Sequence, residues 1–230
     1  MASAKSSQQS SHLQVPVPRP LSAPCRPVSV VLLGHSYIRR LQDFMDRNPE
    51  CRNLTQSTQD AVVHTFGRGG ATLRLQPDDH WINCHLQPAL VCHPSVLFLH
   101  VGENDLEALT SPEIADHLWA LVNYIISLSH PRAIIISQLL WFPKYEDRHQ
   151  QITSVNSKLQ EFVNVYQPTY VSDRPPTRVE VLHHKFGVWG ENRQANFLSD
   201  RTHLTEHAMR KYFYSVRNSI GKHLQNLLSQ

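Results

Sequence analysis

The stretch Val28-Ser29-Val30-Val31-Leu32-Leu33-Gly34-His35-Ser36-Tyr37-Ile38-Arg39-Arg40-Leu41 decides how the rest of the chain is read. An apolar, largely β-branched run that stops at a glycine has the character of a buried parallel strand, apolar on both faces. From Tyr37 to Asn48 the period changes, with Ile38, Leu41, Phe44 and Met45 at helical spacing between Arg39, Arg40, Asp43, Asp46 and Arg47. A strand that passes straight into an amphipathic helix is the opening half of a βαβ unit.

Toward the N-terminus, residues 1–27 are rich in Ser, Gln and Pro and lack an apolar period, so they bury too little to offset ordering entropy. They are expected to be a disordered leader, with one domain over 28–230. Toward the C-terminus the alternation repeats. Strands are predicted at Ala61–Phe66, Ser95–Val101, Ala133–Leu140 and Val179–Leu182. Helices are predicted at Pro112–Ser129, with Ser111 as N-cap, at Gln150–Tyr166 and at Thr205–Leu228, and Thr72 to about Leu86 is helical or irregular. Such alternation implies a parallel sheet covered on both faces, an α/β class.

Composition narrows the function classes. The 230 residues are 40% hydrophobic and 18% charged, a globular balance. The longest apolar runs fall far below the ~18 residues of a spanning helix, and the N-terminus offers no apolar signal core. No membrane span and an intracellular, cytoplasmic location are therefore expected. A formal charge of +3 does not call for a nucleic-acid partner. Cys25, Cys51, Cys84 and Cys92 lack CxxC spacing, and His183-His184 lacks neighbours at ligand spacing, so reduced thiols and no metal are expected.

In parallel sheets, ligands bind beyond the carboxyl ends of strands, and four segments concentrate reactive residues at such positions. Gly34-His35-Ser36 delivers a hydroxyl to the amino end of a helix, where Ser36 either caps the helix or serves as a nucleophile beside free N–H groups. Phe66-Gly67-Arg68-Gly69-Gly70 is a glycine cluster that lets backbone approach a ligand, or a simple turn. Val101-Gly102-Glu103-Asn104-Asp105 ends another strand in polar residues, and Asn104 can aim an amide at a bound oxygen or form an Asx-turn. Asp200-Arg201-Thr202-His203 allows a carboxylate to hold an imidazole within one turn, or caps the last helix.

Taken in order, these four segments resemble the block pattern of the SGNH/GDSL hydrolases, over about residues 28–225. The resemblance implies a flavodoxin-like three-layer α/β/α sandwich with a central parallel sheet. It implies an ester hydrolase with a Ser36, His203 and Asp200 triad, an oxyanion hole of the Ser36 and Gly70 N–H groups and the Asn104 amide, and no cofactor. Small-molecule, lipid or carbohydrate esters would be the substrates. The family usually carries Asp where His35 stands; the change removes a carboxylate and adds an imidazole able to compete with His203 for Ser36. The Gly-His-Ser variant is similar to SGNH-like domains, some of them associated with transposable elements. It also motivates the alternative of a catalytically silent binding or interaction module. Trp141, Phe142, Phe186 and Trp189 either line a substrate pocket or pack, and Arg39, Arg40 and Arg68 either meet an anionic substrate group or are solvated.

Overall fold

The computed structural model describes residues 26–74, 80–167, 175–184 and 193–229. The predicted leader, apart from its last two residues, lies outside them, as do Phe186 and Trp189.

Five strands, β1 (Val28–Gly34), β2 (Ala61–Gly67), β3 (Val96–His100), β4 (Ala133–Ser137) and β5 (Arg178–Leu182), form one parallel sheet in the order β2-β1-β3-β4-β5. Between and after them run α1 (Ser36–Arg47), α2 (Asn83–Val91), α3 (Ser111–Ser129), α4 (His149–Val165) and α5 (Glu206–Leu228). The chain steps from β1 to β2 in one direction and from β2 through β5 in the other. Right-handed crossovers therefore set α1 on one face and α2, α3 and α4 on the opposite face. α5 returns to the side of α1, with the Phe44 and Phe213 rings 5.7 Å apart, while Trp119 of α3 stacks on Phe162 of α4 at 5.6 Å. This is the three-layer α/β/α sandwich. Val30 to Leu33 of β1 are fully buried between the two helical layers.

Several boundaries differ from expectation: the helix expected within Thr72 to about Leu86 is α2, Asn83–Val91, and two further differences have clear causes. The apolar run from Ala133 to Leu140 is buried throughout, but pairing stops at Ser137. Burial and ladder pairing give the same apolar signal, so Gln138 to Leu140 read as strand while packing outside the sheet. At the start of α3, Thr110 rather than Ser111 is the N-cap: the Glu113 carboxylate accepts from the Thr110 N–H at 2.8 Å and from its hydroxyl at 2.7 Å. Trp141 and Phe142 are core residues, 0% and 2% exposed. Among the described residues, Cys51, Cys84 and Cys92 are free thiols and no helix is long and apolar enough to cross a membrane.

The register matters most for function. Gly34 lies level with Gly67 of β2 on one side and with His100 of β3 on the other. Three loops therefore spring from one height, around the point where the strand order reverses.

Candidate active site

Gly34 is required by space: a Cβ there would stand 2.1 Å from the His100 carbonyl oxygen. The chain turns past that carbonyl, which accepts from the His35 N–H at 3.1 Å, and α1 begins at once. His35, not Ser36, is the N-cap, because its Nδ1 accepts from the Tyr37 N–H at 3.4 Å. Ser36 is thus the first helical residue and its hydroxyl is free of capping. Among the described residues, the one side-chain hydrogen-bond partner of Ser36 Oγ is His35 Nδ1, at 3.4 Å, and no hydrogen bond joins Ser36 to His203.

The second and third loops hold each other. Gly70 has φ of +77°, a conformation open to glycine at no steric cost. The Asn104 amide donates to the Ala71 carbonyl at 2.9 Å. The buried Asp105 carboxylate accepts from the Leu73 N–H at 2.9 Å and the Arg74 N–H at 3.4 Å. Burial pushes the Asp105 carboxyl up, and those two N–H groups pull against it. Asn104 and Asp105 thereby fix the backbone just after Gly70. The amino end of α1 sits on the end of β2, where a Cβ on Gly67 would stand 2.2 Å from the Arg39 nitrogen.

The Asp200 to His203 segment is a tight turn. Phe197 and Leu204 form an antiparallel bridge, Arg201 at the tip has φ of +57°, and its guanidinium donates to the Pro143 carbonyl at 2.8 Å. Within it, Asp200 Oδ2 is 2.7 Å from His203 Nδ1, while Oδ1 accepts from the His203 and Thr202 N–H groups, each at 2.9 Å. Partial burial would raise Asp200; the His203 N–H and imidazole and the Thr202 N–H outweigh it and hold the carboxyl at about 2. The carboxylate is therefore charged at any working pH and fixes the proton on His203 Nδ1, leaving Nε2 as an acceptor. The Tyr37 hydroxyl donates to the Thr202 carbonyl at 2.8 Å, tying the residue after Ser36 to the residue before His203.

Beneath Ser36 lies a network of which the sequence reading singled out His35 alone. Glu103, 2% exposed, places Oε2 2.7 Å from His35 Nε2 and Oε1 2.8 Å from His100 Nε2, and Oε1 also accepts from the Leu140 N–H at 3.0 Å. His100 Nδ1 in turn lies 2.6 Å from the Tyr212 hydroxyl of α5. Burial alone would raise Glu103, but the His100 and His35 imidazoles, by charge and hydrogen bond, bring it well below the usual carboxylate range. Burial lowers His100, so it stays neutral. The Glu103 carboxylate is thus engaged by two imidazole nitrogens and the Leu140 N–H. The ligand-type atoms of His35, His100 and Glu103 lie within 4.8 Å of one another, near enough for a metal ion, though these hydrogen bonds already engage each of them. The carboxylate that meets His35 is thus Glu103, from the end of the neighbouring strand.

No family model matches the sequence, and no curated protein does. Solved structures do. A carbohydrate esterase family 3 protein from Talaromyces cellulolyticus shares 13% identity over 86% of this chain and 99% of its own, with a TM-score of 0.59. An acetylxylan esterase from Geobacillus stearothermophilus shares 12% over 85% and 96%, at 0.57. A member of the lipolytic G-D-S-L family from Veillonella parvula shares 15% over 82% and 95%, at 0.55. At these identities the common property is architecture, and this chain has the fold of the SGNH/GDSL hydrolases.

Proposed function

We propose that the chain is a serine hydrolase of carboxylic esters. Ser36 attacks the acyl carbon, and its proton passes to His203 Nε2, whose imidazolium is stabilised by the Asp200 carboxylate. The carbonyl oxygen, now an oxyanion, meets the Ser36 and Gly70 N–H groups and the second N–H of the Asn104 amide. His203 then gives its proton to the departing alkoxide, and water repeats the sequence to release the acid. Closing the hydrogen bond between Ser36 and His203 belongs to substrate binding, since catalytic contacts commonly tighten only in the complex.

The observation that carries this reading is the pairing of His203 with an ionised Asp200 in a turn fastened through Tyr37 to the first turn of α1. Esterases of acetylated carbohydrate and lipolytic proteins among the structural neighbours favour a small acyl ester as substrate. A fluorophosphonate probe is expected to label Ser36, and Ser36→Ala is expected to abolish turnover of a short p-nitrophenyl ester. A wild-type chain that neither labels nor hydrolyses such esters would instead support the silent binding module.

A further inference from the structure

Ser36 faces an imidazole other than His203. His35 Nδ1 lies 3.4 Å from Ser36 Oγ, and His35 Nε2 lies 2.7 Å from the Glu103 carboxylate, which is buried and so barely screened by solvent. The tautomer follows from the neighbours: the Tyr37 N–H points at Nδ1, so that atom carries the lone pair and Nε2 carries the proton toward Glu103. Serine, imidazole and carboxylate are thus arranged as in a triad, on the side of Ser36 away from solvent. Resting on the assignment of Ser36 as nucleophile, we propose that His35 and Glu103 form a second acid–imidazole dyad, which accepts the Ser36 proton independently of His203.

In that step the Ser36 O–H bond breaks as Oγ bonds the acyl carbon, the carbonyl π pair moves onto oxygen, and the proton joins His35 Nδ1. Glu103 offsets the imidazolium charge, and the proton returns to the leaving oxygen. Around the ring stand Glu103, the neutral His100 4.9 Å away between centroids, and Tyr37 at 5.0 Å; among the described residues no lysine or arginine pairs with the carboxylate. The Tyr37 N–H shares Nδ1, so this dyad is the weaker base of the two.

The test compares fluorophosphonate labelling of the full chain as wild type, His203→Ala, His203→Ala with His35→Asn, and Ser36→Ala. Asparagine keeps a capping oxygen for the Tyr37 N–H but cannot take a proton. A positioned general base contributes about 10²–10⁴-fold. With a second dyad, His203→Ala is expected to lose only about tenfold in the maximal labelling rate. The added His35→Asn is expected to remove roughly a further 10²-fold, with the concentration for half-maximal rate unchanged. Equal rates for the single and double variants, or no labelling of His203→Ala while wild type labels, would overturn the dyad and leave the hydrolase reading intact. A wild type that does not label overturns both. If the His35 variant does not fold, ¹⁵N shifts of His35 in the native chain decide instead: a proton on Nδ1 rather than Nε2 sinks the proposal.

Discussion

The Asn104 amide carries two N–H groups, and one is committed to the Ala71 carbonyl at 2.9 Å. The committed bond fixes the rotation of the group, so the other N–H keeps a set direction without reorganising during reaction. Asn104→Ala is therefore expected to lower kcat by about 10²–10³-fold, the usual loss for one oxyanion donor, with KM changing far less. Steady-state hydrolysis of a p-nitrophenyl ester checks this. At this scale the proposed triad residues and Asn104 stand out as candidates in the sequence because each sits in a short local pattern. The partner of His35 could not, because Glu103 is 68 positions away and meets it only when β1 and β3 lie side by side.

Among the elements, α1 and β2 touch more closely than any side chain would allow, through Gly67. Gly67→Ala must push α1 away from the sheet, and the backbone atoms it meets have no rotamer by which to yield. We expect a loss of roughly 2–3 kcal/mol, read from urea unfolding, together with impaired turnover because Ser36 rides on the same turn. Most strands and helices were legible in the sequence, since β1 and β3 are apolar apart from Ser29 and the terminal Gly34 and His100, and α3 keeps one apolar stripe; α2 was not, because Asn83–Val91 carries Pro88 and no clear stripe. The end of β4 was not, because Gln138 to Leu140 are as buried as a strand without being one. The N-cap of α1 was not found for a different reason: serine is the commoner cap and stood as one of two readings of Ser36, while the acceptor is an imidazole one residue earlier.

For the whole molecule, burying neutral imidazoles links stability to pH. Burial lowers His100, and burial together with the nearby His100 lowers His184 well below the ordinary histidine value of 6.5. The folded chain then holds fewer protons than the unfolded one below that value, so stability falls as pH drops from about 6.5 and is complete above it. Each such proton amounts to about 1.4 kcal/mol per pH unit. The Glu103 contribution has the same sign and enters later, below the carboxylate value of 4.5. Tm measured by calorimetry is expected to be flat above pH 7 and to fall steadily between pH 6.5 and 5; a Tm that rises on acidification over that range would contradict the buried, neutral assignment. The three-layer order was readable in advance, but this acid sensitivity was not, because fifteen histidines in a sequence carry no label for which ones are enclosed.

The contact between His35 and Glu103 also couples two positions. Aspartate at position 35 in this chain would exchange a donor for a second anion beside the first, deep in the protein. Replacing Glu103 alone would strand two imidazoles. A change at either position therefore carries a cost that a matched change at the other can offset, so the pair tolerates exchange together better than apart.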